Sequence, residues 1–329
     1  MQKKITALTL SALLFAVTFP AEAQQAGKIF RIGYLDVTTA SGSAVLVDAL
    51  RQELSKLGWV EGRNIAFEYR FAEQKQERLS KLASELAHLN VDVIVATGGG
   101  PASAAKNASS AIPIVVTGAQ DAVASGLIAS LARPGGNVTG LSALGPELNT
   151  KRLEVIKDAI PKLARVGLLW NVQVTSTSPL ELKELRAAAT ALKVNLEEIE
   201  TAGEAKSIER AFQSAKQKQV GAIMTGASRY FLAEKNLFVE LANKHRLPAI
   251  YHQRAYVDEG GLMSYGVDYI DLYRRAAGYV DKILRGTKPS DLPVQQATKF
   301  EFVINLKAAK QIGLTLSPEF LSRANRVIK

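Results

Sequence analysis

The 329-residue sequence predicts an α/β fold: two doubly wound parallel-sheet lobes joined by a multi-strand hinge. Three observations predict it. First, the chain repeats itself at an offset of roughly 130 residues. Arg31-Ile-Gly-Tyr-Leu35 returns as Arg165-Val-Gly-Leu-Leu169, Val91-Asp-Val-Ile-Val-Ala-Thr-Gly98 as Val220-Gly-Ala-Ile-Met-Thr-Gly226, and Ile112-Pro-Ile-Val-Val116 as Leu247-Pro-Ala-Ile-Tyr251. Second, each apolar run is short and rich in branched residues, the composition of strands buried on both faces of a parallel sheet. Third, helical stretches separate the runs in the same order in both copies, the alternation of a sheet covered by helices. Two such lobes leave a cleft between them, and clefts between lobes are where small molecules bind.

The elements follow in order. Ile29 to Val37 is the first strand, and the next helix carries Leu46, Leu50, Leu54 and Leu57 on one face before Gly58 stops it. Arg63 to Phe71 alternates as a second strand. Leu79, Leu82, Leu86 and Leu89 recur with helical spacing and form an amphipathic stripe. Strand Val91 to Ala96 runs into Thr97-Gly98-Gly99-Gly100-Pro101, and Pro101 suits the first turn of a short helix. Strand Ile112 to Thr117 precedes a loop and helix around Asp121 to Leu131, and the Pro134-Gly135-Gly136 turn feeds a short strand.

Lobe two opens with a helix through Leu153, Ile156 and Ile160, then strand Ala164 to Trp170. A helix with Leu182, Leu185 and Leu192, strand Leu196 to Thr201, helix Ile208 to Lys218 and strand Val220 to Thr225 continue the alternation. Helix Asn236 to Arg246 and strand Pro248 to His252 complete it. Near Gly266 the chain returns to lobe one and enters a helix with Tyr273, Ala277, Val280 and Leu284. From Phe300 it packs back as a strand and helices. This division assigns 24–141 and 268–290 to lobe one, and 142–267 and 291–329 to lobe two.

Residues 1–23 read as a secretory signal peptide. Lys3 and Lys4 precede an apolar run from Ile5 to Phe19, and Ala21-Glu22-Ala23 supplies a small-x-small cleavage site. That run is shorter than the roughly 20 apolar residues of a spanning helix. The expected mature chain starts at Gln24, inserts in no membrane and is exported. The sequence contains no cysteine, which excludes disulfides, a thiolate nucleophile and a lipid-modified cysteine anchor. A periplasmic location follows. The formal charge is +10, but the basic residues are scattered along polar helix faces, so a solvated surface is expected and nucleic acid is not.

Motifs for catalysis are scarce. The chain has no Gly-x-Ser-x-Gly elbow, no His-Glu-x-x-His and no phosphate loop. Of its three histidines, His88 and His245 sit near helix ends, whereas His252 ends a lobe-two strand, a place from which a side chain can reach the cleft or stay in the lobe. No enzymatic activity, metal or cofactor is expected. Polar residues collect instead beyond the carboxyl ends of the strands, where this architecture binds ligands. Lobe one supplies Tyr34, Asp36, Thr38 and Ser41 after the first strand, Thr97, Gly98 and Gly99 after the third, and Thr117, Gly118 and Asp121 after the fourth. Lobe two supplies Asn171, Thr225, Ser228 and Tyr251, and the return crossing supplies Tyr265 and Asp268. Glycine lets backbone amides approach a ligand, and helix N-termini favour anions. Aspartates suit an ammonium or hydroxyl, while Tyr34, Trp170 and Tyr265 offer stacking faces. The competing explanation is that the Thr, Ser and Asp residues cap helices.

The mature chain also resembles the periplasmic substrate-binding proteins of ABC transporters, in the subfamily that includes tryptophan- and tyrosine-type binding proteins. The resemblance is carried by Phe30-Arg-Ile-Gly-Tyr-Leu35, Leu57-Gly-Trp-Val-Glu-Gly-Arg-Asn64 and, most specifically, Ser125-Gly-Leu-Ile-Ala-Ser-Leu-Ala-Arg-Pro-Gly-Gly-Asn-Val-Thr-Gly140. Gly266-Val-Asp-Tyr269, Ile283-Leu-Arg-Gly286 and Ile304-Asn-Leu-Lys-Ala-Ala-Lys-Gln-Ile-Gly313 extend it. It implies a type I periplasmic-binding-protein fold, capture of a small polar or amphipathic ligand between hinged lobes, and delivery to a cognate permease in the inner membrane. It leaves the ligand open. Members with amino-acid assignments often carry Tyr-Asn-Pro where this chain has Trp170-Asn171-Val172, and Asp-Pro where it has Asp121-Ala122. A periplasmic sensory subunit or a periplasmic enzyme would share many of these features.

Overall fold

The computed structural model describes residues 28–171 and 179–329. The signal-peptide reading of residues 1–23 lies outside them. Lobe one runs β1 (Phe30–Asp36), α1 (Ala40–Lys56), β2 (Ile65–Phe71), α2 (Leu79–His88), β3 (Val93–Thr97), α3 (Gly99–Ala108), β4 (Ile114–Ala119) and β5 (Val138–Ser142). The chain continues with α4 (Gly145–Ala159), β6 (Arg165–Asn171), α5 (Pro179–Ala191), β7 (Asn195–Thr201), α6 (Ala205–Gln217) and β8 (Ala222–Thr225). Next come α7 (Arg229–Ala233), α8 (Lys235–Lys244), β9 (Ala249–Tyr251), α9 (Ala255–Asp258) and β10 (Met263–Val267). The return to lobe one is α10 (Tyr269–Leu284) and β11 (Gln295–Gln296); β12 (Phe300–Asn305), α11 (Leu306–Ile312), α12 (Pro318–Ser322) and β13 (Arg326–Ile328) end in lobe two.

The two sheets have the orders β11-β5-β4-β3-β1-β2 and β13-β12-β10-β9-β8-β6-β7. Read from β2 and from β7, their first five strands correspond one to one, which accounts for the repeat in the sequence. The repeated glycine has a packing reason. A Cβ on Gly33 would lie 3.2 Å from Leu86, and one on Gly167 would lie 3.1 Å from Ile223, so in both lobes a side chain at that point would crowd the packed neighbours. Each sheet is covered on both faces. In lobe one, α1 and α10 enclose a cluster around Ile32, Leu50 and Val280, while α2 and α3 enclose another around Leu35, Leu86 and Ile94. In lobe two, one face buries Ile156, Met224 and Ile304, and the other Leu169, Phe212 and Phe238.

Three segments link the lobes, and they touch one another. The Ala297 amide donates to the Ser142 carbonyl at 2.9 Å, and the Asp268 amide to the Lys299 carbonyl at 3.0 Å. The structure corrects three expectations. Gln295 and Gln296 pair with Leu141 and Ser142, so residues up to 296 belong to the lobe-one sheet rather than to lobe two. The second sheet is not wholly parallel, because β12 runs antiparallel to β10. The reason is connectivity: β10 leaves lobe two at the hinge end, and the chain re-enters there, placing Phe300 opposite Val267. Finally, 121–131 forms turns, not a helix. Gly126 takes a φ of 69°, and the Leu127 and Ile128 amides both turn back to the Ala122 carbonyl, which a continuing helix forbids.

Candidate ligand-binding cleft

A cavity of about 480 Å³ lies between the lobes at the carboxyl ends of the strands. That volume is within the range of small-molecule sites. Lobe one contributes Thr97, Gly98, Gly99 and Pro101 from the β3–α3 turn, and Thr117, Gly118, Gln120 and Asp121 from the end of β4. Lobe two contributes Ser228, Arg229 and Tyr230 from the start of α7, with His252 and Gln253 after β9. Tyr269 and Tyr273 of α10 supply aromatic faces, and Val37 and Leu79 an apolar margin.

The β3–α3 turn presents backbone. Gly98 holds φ at 87°, which glycine adopts without strain, and no side chain caps the helix. The Gly99 and Gly100 amides precede the intrahelical ladder, so they are donors at the positive end of the helix dipole. A Cβ on Gly98 or Gly99 would meet no atom within 4 Å, which makes their bareness a matter of access rather than packing. Asp121 closes the adjacent turn, its Oδ1 accepting from the Val123 and Ala124 amides at 3.2 and 2.9 Å.

Two charged groups line the cavity among the described residues, Asp121 and Arg229, but they do not balance each other. Arg229 crosses to lobe one and donates from Nη2 to Oδ2 of the fully buried Asp36. Ser43 donates to the same carboxylate, the Thr38 amide donates to its Oδ1 at 3.0 Å, and the Tyr34 hydroxyl reaches it at 3.3 Å. Burial alone would raise the Asp36 carboxyl; Arg229, Ser43 and Thr38 more than offset it and hold it below its ordinary value. Burial would likewise lower Arg229, but Asp36 raises it above the usual guanidinium value. The two charges compensate each other, with the Arg229 Nε left without a hydrogen-bond partner among the described residues, and the Asp121 carboxylate is the uncompensated charge lining the cavity.

His252 is neutral. Burial, then the Arg152 and Arg229 guanidinium groups, pulls it down to about 3, and its Nδ1 lies 3.4 Å from the Thr225 hydroxyl. Tyr230 moves the other way: burial and then the Glu77 carboxylate push its phenol up to about 12, so it keeps its proton.

Of the residues singled out from sequence, Thr97, Gly98, Gly99, Thr117, Gly118 and Asp121 lie together in the cavity wall. Ser228 and His252 line it from lobe two, and the others do not. Tyr34, Asp36 and Thr38 form the buried receptor for Arg229, with Tyr34 also 3.4 Å from the Tyr273 hydroxyl. Ser41 is exposed beside Thr39, the N-cap of α1. Asn171 donates to the Ala202 carbonyl at 3.3 Å, and Thr225 is buried against His252. Tyr251 stacks on Tyr256 at 4.6 Å inside lobe two, Tyr265 packs edge-on against Phe302, and Asp268 caps α10 by accepting from the Asp271 amide at 3.0 Å. For Asp268 the capping explanation is the one the geometry supports. Arg229, Tyr230, Gln253 and Tyr273 were missed. Arg229 and Tyr230 did carry a signal, since they follow the Thr225-Gly226 match to Thr97-Gly98 within a few residues.

A tyrosine-binding protein of Clostridioides difficile (strain R20291) is 28% identical over 262 residues, 79% of this chain and 74% of that protein. An ABC domain from Streptococcus pneumonia in complex with L-Trp superposes with a TM-score of 0.84 at 23% identity, covering 92% of this chain and 100% of that one. The ligand-free, open structure of a substrate binding protein with adhesive properties from Clostridium difficile gives 0.67, also at 23% identity, over 92% of this chain and 99% of that one. The architecture is therefore that of the type I periplasmic binding proteins. The ABC transporter substrate binding protein family matches residues 38–328, and this chain belongs to it.

Proposed function

We propose that this protein is the periplasmic solute-capturing component of an ABC importer, and that its ligand is an α-amino acid with a large amphipathic side chain. The observation that carries the reading is the pairing, in one interlobe cavity, of an uncompensated carboxylate with an uncapped helix N-terminus. Asp121 suits an ammonium group, and the Gly99 and Gly100 amides suit a carboxylate. The tyrosines, Val37 and Leu79 suit an extended apolar or aromatic body. The tyrosine-binding relative and the L-Trp complex support this class. Export is supported by the basic, apolar and small-residue pattern of 1–23, and delivery to a permease by membership of the family. Among the described residues no helix is long and apolar enough to cross a membrane.

The decisive experiment is calorimetric titration of the purified protein with L-tyrosine and L-tryptophan, beside tyramine and 3-(4-hydroxyphenyl)propionate. Each of the last two lacks one charged end. Saturable binding of an amino acid, with both truncated analogues weakened at least about tenfold, is expected. Equal affinity for tyramine and tyrosine would remove the carboxylate subsite and the amino-acid class with it.

A further inference from the structure

The first residues of α7 are the part of lobe two that enters lobe one. Tyr230 packs into the apolar cluster of lobe one with Leu79 and Val37, and Arg229 beside it is clasped by Asp36, Ser43 and Thr38. Ser228 and Tyr230 both line the cavity, at 6% and 9% exposure. Neither the Ser228 Oγ nor the Tyr230 Oη has a hydrogen-bond partner among the described residues. With Thr97 Oγ1 and Arg229 Nε, four buried polar atoms on residues of the cavity wall have no partner among the described residues; such atoms are nearly always paired, so they point to a group that arrives from outside the chain. Gly99 and Asp121, which suit the ends of an amino-acid backbone, both stand on lobe one. The wall contributed by α7 then faces the side chain.

We infer that Ser228 and Tyr230 are specificity-determining residues that hydrogen-bond a polar group on the ligand's side chain, and that the Asp36–Arg229 pair positions them by pinning α7 to lobe one. The inference rests on the amino-acid reading above and narrows it to side chains that end in a hydroxyl or ring N–H. A site built around such groups rejects the analogue that lacks the polar atom, because its own groups are then left unpaired. Arg229 acts through its neighbours and is a positioning residue.

The test is titration with two ligand pairs that differ by one polar atom: tyrosine against phenylalanine, and tryptophan against 3-benzothienylalanine, whose sulfur replaces the ring N–H. In the wild type the polar member of at least one pair should bind about tenfold or more tighter. Ser228→Ala and Tyr230→Phe should each erode that ratio while leaving the affinity for phenylalanine within about twofold. Arg229→Ala should bring the ratio towards unity and enlarge the radius of gyration in solution scattering; Arg229→Lys should restore both in part. Should Arg229→Ala fail to fold, the Ser228 and Tyr230 variants decide alone. Equal binding within both pairs, or a preference that survives both of those variants, overturns the inference and leaves the amino-acid reading intact. If none of the four compounds binds, both readings fall.

Discussion

The turns after β3 and after β8 occupy the same place in the two copies of the fold, yet they do opposite work. In lobe one, Thr97-Gly98 leads into an uncapped helix that offers bare amides. In lobe two, Thr225-Gly226 leads into Ser228, Arg229 and Tyr230, which offer side chains and send a cation across the gap. The strands before them, Val93–Thr97 and Ala222–Thr225, are both wholly buried and apolar up to a final threonine, because burial on both faces tolerates little besides apolar side chains. The turns lie at the cavity rather than inside a sheet, and they have diverged. Duplication thus supplied the scaffold, and the asymmetry of the turns supplied the site.

That contrast can be broken most severely at Asp36. Asp36→Ala removes one partner of a buried pair and should cost the closed form about 3 kcal/mol, read as a lower urea midpoint or a larger radius of gyration. A change below about 1 kcal/mol would mean that the pair contributes little to holding the lobes together. Next in size is Asp121→Asn, which should weaken binding of L-tyrosine or L-tryptophan by about 2 kcal/mol, since it removes a charge-assisted contact. Its melting temperature should barely move, because an amide oxygen still accepts from the Val123 and Ala124 amides. A variant that binds normally would take the ammonium elsewhere.

Acid sharpens the comparison from the side of lobe two. His252 is held at about 3 in the folded protein, below its ordinary value near 6.5. Between those values the unfolded chain binds the extra proton, so stability should fall as pH drops below about 6.5 and level off near 3. The slope is at most about 1.4 kcal/mol per pH unit. Asp36, lowered in the fold, adds a loss of the same sign once pH falls through the carboxylate range. Urea titrations of wild type and His252→Gln across this window would separate the two, and an unchanged slope in the variant would acquit the histidine. The smallest effect is expected at Asp268→Ala, about 1 kcal/mol of stability for a lost helix cap, with ligand affinity unaltered. Lost affinity at unchanged stability would return Asp268 to the site.

The alternation of strands and helices, the lobe repeat and the placing of a cleft at the strand ends were legible in the amino-acid sequence. Apolar runs of the kind at Val93–Thr97 and Ala222–Thr225 carry their own reason for being buried, and glycine after a strand carries a reason for backbone access. For the same reason Thr97, Gly98, Thr117, Gly118 and Asp121 were found from sequence: they follow strand ends directly, and strand ends converge on the cleft. What the chain alone did not decide is which polar side chains at those ends point inward to one another. Asp36 and Asp121 look alike on paper, each a carboxylate just past a strand. Only the tertiary structure brings Arg229, 193 residues away, against the first and leaves the second facing the cavity. Local periodicity encodes burial, but the pairing of charges depends on how two separately folded lobes meet. That meeting is a long-range contact no local pattern contains.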